Sequence, residues 1–428
     1  MIDRTLAPAI SDFTSLSIPE LKSVTLPSGV DVHYLDNRDM DVYNIIILFD
    51  SGSLENHDMP AAARLTVPLA GEGSLMHPDG KLSELMGYHG MRVQTRTHDH
   101  HTEYSFGLLR DKLDKALPLI REYIFSPAFG EKSIEIYAEN AAQSYLLNRQ
   151  KVNYHSDKTM ASHMFGSNHP KAVEITDSDY RAVKRDDIIS VYDRILNSNI
   201  SVYVAGVVDD AVLNKINSVF EDYRPSRMVT SEYKIFPYVG EGLGQRYDIH
   251  LEGKLQSSVN ISLPAVPRIH PDYLLLRNLI IALGGYFGSR LVTNIREEKG
   301  LTYGISSALY GSPEGAYISI GSMTANENVD ELISETMKEI ERLSSELFGN
   351  EEFMMVRSYI LSQLASMLDT PLNILQYYLS LKTAFIPHAD YFKRQFETVK
   401  AMTPESLRDV AGRHLLGREW TVAVAGDI

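Results

Sequence analysis

LGGYFGSRLVTNIREEKGLTYGISS, from Leu283 to Ser307, is the most specific stretch of this 428-residue chain. Its glycines Gly284, Gly285 and Gly288 are closely spaced, but no Walker pattern precedes them and no Lys-Ser/Thr pair follows. They read as points of close helix packing rather than a phosphate cradle, because a residue without Cβ lets other chain segments approach. On either side, SVNISLPAV from Ser258 and AYISIGSM from Ala316 alternate as strands do. VDELISETMKEIERLSSEL from Val329 carries apolar residues at three- and four-residue spacing and predicts a helix packed on a sheet. A second copy of this pattern precedes it. SVYVAGVVDD from Ser201 and TVAVAGDI from Thr421 both read as a buried strand ending in Ala-Gly and an acidic turn, with Gly206 and Gly426 separated by 426 − 206 = 220 residues. That spacing suggests a duplication. The stretch Asp222–Tyr247 mixes Pro, Gly, Ser and charge without helical periodicity and reads as a linker. The expected fold class is α+β, with two homologous domains, 1–224 and 246–428, joined by a linker at 225–245. Each domain is expected to hold a mainly antiparallel sheet covered by helices.

Composition suits a large soluble protein, with 44% hydrophobic and 23% charged residues. The formal charge of −15 disfavours nucleic acid or an anionic membrane surface as the main partner. The absence of cysteine excludes disulfides and Cys-based metal sites or nucleophiles. MIDRTLAPAISDF lacks the apolar core of a signal peptide, and no stretch reaches the roughly 18 apolar residues of a membrane span, so a cytoplasmic location is expected. His98-Asp99-His100-His101 is the one dense histidine cluster. Strand alternation would put His98 and His100 on one face, where Glu103 could join them at a metal; the plainer reading is a polar strand end or loop.

The stretch from Leu283 is similar to a signature of the pitrilysin, insulinase and mitochondrial processing peptidase family, and the resemblance runs along nearly the whole chain. LPSGVDVHYLDN from Leu26 and the strand IIILFDSGS from Ile45 to Ser53 resemble that family's first hairpin. KLSELMGYHG from Lys81 resembles its helix before the Asn-Ala substrate strand, and SPAFGEKSIEI from Ser126 its stretch before the third zinc ligand. The family's zinc helix carries HxxEH: two histidines four residues apart on one face reach the metal, and the glutamate takes a proton from the metal-bound water. Here the matching segment reads Arg64-Leu65-Thr66-Val67-Pro68, and neither HxxEH nor HExxH occurs elsewhere. The family's spacing to its third ligand leads to Gln143, in the helix-like run ENAAQSYLLNRQ. All four metal positions, Arg64, Val67, Pro68 and Gln143, are therefore degenerate, and the family's Asn-Ala substrate strand has no match.

The resemblance implies that Arg296 and Tyr303 hold substrate. A guanidinium grips a peptide carbonyl or carboxylate, and a phenol donates to a developing oxyanion. Without the resemblance, Arg296 reads as part of a helix-end ion pair with its neighbouring glutamates and Tyr303 as a strand core residue. The family's architecture implies a clamshell of two facing domains. The expected function is a non-catalytic subunit that pairs with a homologous HxxEH-bearing chain to enclose peptides, zinc being held only by the partner. The alternatives are a homodimeric peptide-binding or scaffold protein, and a metallopeptidase with an unconventional metal site near His98 and His100.

Overall fold

The computed structural model describes residues 15–221, 223, 233–387 and 390–428. The N-terminal stretch MIDRTLAPAISDF and residues 225–232 of the expected linker lie outside the described residues. Two sheets organise the chain. The first has strands β1 (Lys22–Thr25), β2 (Asp31–Asp36), β3 (Val42–Phe49), β4 (Arg92–Thr97), β5 (Thr102–Leu109) and β6 (Ile200–Gly206), in the order β1-β2-β6-β3-β5-β4. The second has β7 (Arg246–His250), β8 (Gln256–Ala265), β9 (Thr302–Ser312), β10 (Gly315–Ala325) and β11 (Thr421–Gly426), in the order β7-β11-β8-β10-β9. Set aside β1, and the two orders are the same topology written twice. In each sheet the late Ala-Gly strand pairs in parallel with the sheet's first long-range partner, β6 with β2 and β11 with β7. The remaining pairings are antiparallel, so both sheets are mixed rather than purely antiparallel.

The β-branched run of β3 explains why its sheet is covered on both faces. Ile45, Ile47 and Phe49 enter the core beneath the N-terminal half's own helices. Ile46 and Leu48 point the other way and pack, with Tyr203 and Ala205 of β6, against Leu375 and Leu379. Those leucines belong to the helix Pro371–Thr383 of the C-terminal half. The reciprocal contact also exists. Met160 and Met164, on the helix Val152–Phe165 of the N-terminal half, pack on Ala423 of β11, and Ser156 Oγ meets Ser258 Oγ of β8 at 2.8 Å. Each half thus lends one helix to the other's sheet.

Gly284 shows the close packing expected of the glycine cluster: a Cβ there would lie 2.8 Å from the Ser307 backbone nitrogen. The expected strand Ile45–Ser53 stops at Phe49. Beyond it, Ser53 and Leu54 donate to the carbonyls of His98 and Asp99, so the chain has turned to meet the β4–β5 connection. Residues 233–245 form no helix or strand, yet they are tied down: Tyr238 donates to the Glu314 carbonyl, Val239 to that of Phe165 and Glu241 to that of His163. No helix among the described residues is long and apolar enough to cross a membrane.

Candidate functional site

Pro60 opens the helix Pro60–Leu69, a first-turn position where the missing N–H costs nothing. Arg64 and Pro68, four residues apart, share its exposed face, whereas Val67 is turned into the core. The Arg64 guanidinium donates to the Tyr180 hydroxyl at 3.2 Å. Pro68 has no N–H, so the Arg64 carbonyl lacks its usual helical donor. Gln143 is exposed on the helix Glu131–Asn148, and its amide donates to Glu139 at 2.7 Å. Arg181 grips the same carboxylate at 2.8 Å, and these two donors hold the Glu139 carboxyl down at about 2. A cation, an isopropyl group, a pyrrolidine and an occupied amide provide no tetrahedral set of N, S or carboxylate ligands. These residues do not fit zinc.

Arg64 instead borders a cavity of roughly 560 Å³ whose walls include Tyr154, Asp157, Lys158, Glu174 and Tyr180. Glu174 accepts from the hydroxyls of Tyr145 and Tyr154 at 3.0 and 2.6 Å and pairs with Lys158. Burial works against its charge, but the lysine and the two phenols outweigh it and hold the carboxyl at about 2.

In the C-terminal half, Arg296 lies on a π-helical turn, Val292–Glu298, a winding that often marks functional positions. Its guanidinium stacks on the ring of Phe287 at 4.9 Å and makes no ion pair among the described residues, so the expected pairing with the neighbouring glutamates is not found. The alternative placing of Tyr303 in a strand core is also corrected: near the start of β9 it is 91% exposed. Tyr303 lines a groove of roughly 560 Å³ with Asn153, Asp157, Ser258, Ser306 and Met323; Arg296 is not among the groove's residues. Asn153 and Asp157 also line the cavity beside Arg64. The Arg64 face and Tyr303 therefore flank one helix, Val152–Phe165, and Asp157 is anchored across the halves by Asn260 at 3.1 Å. Sequence reasoning missed Asn153 and Asp157, which carry no local motif.

The histidine cluster is not on a strand. β4 ends at Thr97 and β5 begins at Thr102, leaving His98–His101 in the connection, where alternation does not apply. His98 pairs with Glu103 at 3.0 Å. His100 is 1% exposed and turns elsewhere, its Nδ1 to Glu55 at 2.6 Å and its Nε2 to Glu314 at 2.5 Å. Burial alone would lower the His100 pKa, but the two carboxylates raise it to about 9. His101 goes the other way: burial, with Lys382 nearby, lowers it to about 3. His98, His100 and Glu103 thus do not converge on one point. Among the described residues, one set of three donors does converge, His270, Asp272 and His414, within 4.8 Å. Asp272 is already chelated there by Arg413 at 2.9 and 3.0 Å.

Comparison with known proteins agrees with this arrangement. A "Non-peptidase homolog YmxG" of Helicobacter pylori is 22% identical over 282 residues, 64% of either chain. A "Probable inactive metalloprotease YmfF" of Bacillus subtilis is 21% identical over 62% of this chain and 63% of its own. The matched region thus spans somewhat less than two thirds of these relatives. An "Uncharacterized zinc protease" of Rickettsia felis is 22% identical over 79% of this chain and 82% of its own. The fold matches that of a Pseudomonas fluorescens structure described as a peptidase M16 inactive domain, with TM-score 0.83, 17% identity, and coverage of 95% of this chain and 98% of that one. A family profile described as Insulinase (Peptidase family M16) matches residues 32–170, and one described as Peptidase M16 inactive domain matches residues 182–359. These two profiles between them cover most of the chain, and the protein belongs to the M16 insulinase family.

Proposed function

We propose that this chain is a non-catalytic M16 subunit that forms a peptide chamber with a homologous HxxEH-bearing chain, the zinc residing in that partner. The observation that carries this reading is the exposure of Tyr303 beside a groove that shares Asn153 and Asp157 with the cavity at Arg64. A tyrosine 91% exposed on a strand contributes little to its own fold, and its hydroxyl is free to donate to a substrate carbonyl. Arg296, without a carboxylate partner among the described residues, is available to a peptide carboxylate or carbonyl. The names of the Helicobacter and Bacillus relatives support the absence of catalysis in this chain alone.

The test begins with purification from the source cells and identification of what co-elutes in stoichiometric amount. A homologous chain bearing HxxEH is expected, with peptide cleavage by the pair and by neither chain alone. In that pair, Tyr303→Phe and Arg296→Ala should each lower kcat/KM by roughly 10-fold or more while leaving assembly intact. Unchanged kcat/KM in both variants removes their assigned roles. A peptide-binding homodimer with no such partner replaces this reading with the scaffold alternative.

A further inference from the structure

At the far end of β9 from Tyr303 lies a second cavity, of roughly 490 Å³, whose walls include Arg268, Tyr273, Arg277, Tyr377, Tyr391 and Gln395. Gly311, which borders it, is eight residues along the strand from Tyr303, or roughly 26 Å at the usual rise per residue. The two sites are therefore separate, and a ligand in this cavity would bind independently of the chamber.

Two arginines with no counter-charge set this cavity apart. Neither Arg268 nor Arg277 makes an ion pair among the described residues, and the Arg268 Nε–H is shielded from solvent without an acceptor. The neighbouring carboxylates are engaged elsewhere: Asp99 with Lys171 at 2.5 Å, Asp272 with Arg413, and Glu314 with His100. Burial raises the phenols of Tyr273 and Tyr391, while both guanidiniums act in the opposite direction. Gln395 accepts from the Tyr377 hydroxyl at 2.6 Å through its carbonyl oxygen, which leaves its amide N–H groups as donors. The wall thus offers two guanidiniums and an amide NH₂, and its one carboxylate among the described residues, Asp99, is held by Lys171. An unpaired cation withdrawn from water is costly unless an anion completes it.

The shape of the cavity narrows the anion. Leu309, Met367 and Leu381 give it an apolar side, which suits a hydrocarbon chain better than bare inorganic phosphate. A Cβ at position 311 would lie 2.8 Å from both the Arg268 Cγ and the Tyr273 hydroxyl, so Gly311 is what lets the strand approach this pair. The volume lies within the range of small-molecule sites. We propose that this cleft binds a small organic carboxylate, with Arg268 and Arg277 taking the carboxylate oxygens and Leu309, Met367 and Leu381 covering its carbon chain. The carboxylate comes either from a free dicarboxylic acid or from the C-terminal end of a peptide.

Calorimetry and thermal melting of the full chain test this with four probes at matched ionic strength: glutarate, an acetylated tripeptide, its C-terminal amide, and inorganic phosphate. Saturable binding of glutarate, with the tripeptide acid inert, identifies a free dicarboxylate; binding of the tripeptide acid but not its amide identifies a chain end. Either result supports the site. Arg268→Gln and Arg277→Gln should each weaken binding roughly 10-fold or more. The same variants without ligand should melt no lower than the parent, since each removes an uncompensated cation. The proposal is overturned if no carboxylate probe saturates, if phosphate binds as well as glutarate, if the double variant binds like the parent, or if either single variant melts well below it.

Discussion

His100 is a cation clamped between two carboxylates that come from different halves of the chain, Glu55 and Glu314. Its folded pKa of about 9 lies above the ordinary imidazole value near 6.5, so the pair of contacts stabilises the fold fully below pH ~6.5. That stabilisation fades as pH rises through about 9. Replacing His100 by Gln should cost about 2–3 kcal/mol in urea unfolding at pH 6.5. The gap between parent and variant should shrink markedly at pH 10, whereas an equal gap at both pH values would mean that the imidazole carries no charge. The sequence displayed these histidines as a cluster. The strand alternation read for His98 and His100 failed because a connection, the plainer reading, holds them, and no local pattern reveals an acceptor 214 residues away. For Tyr303, too, strand periodicity marks a face but does not say whether anything covers it.

The helix Pro60–Leu69 packs on the core while its exposed face offers no metal ligand. Arg64 and Pro68 still share one face, as metal-binding histidines would, and the buried alanines beneath them still pack on the core. Pro68 is an exposed interior proline that deprives the Arg64 carbonyl of a donor. Pro68→Ala should therefore raise stability by about 1–2 kcal/mol, less than the full helix penalty because alanine loosens the unfolded chain. An unchanged or lower urea midpoint would show that the proline is accommodated without cost. That this face offers no metal ligand was legible from residue types, whereas its match to a zinc helix rests on the resemblance of the surrounding sequence. The π-helical winding at Val292–Glu298 was not, since its apolar residues follow spacings that an α-helix also permits.

Across the whole molecule, the 220-residue interval between Gly206 and Gly426 was readable, and the strand orders of the two sheets repeat accordingly. The crossing of helices between the halves was not readable, because apolar residues on a helix do not state which sheet they will cover. Leu375 is fully buried against β3 and β6 of the opposite half. Leu375→Ala should cost about 2–5 kcal/mol. If the exchange couples the halves, calorimetry should show one transition for the parent and a broadened or divided one for the variant; two separate transitions in the parent would argue against it. The exchange also bears on how such a chain can arise. A lone ancestral repeat would have left one face of its sheet bare, to be covered only by a helix borrowed from a twin. Fusion of two such repeats would then have made permanent, within one polypeptide, an embrace that began between separate molecules.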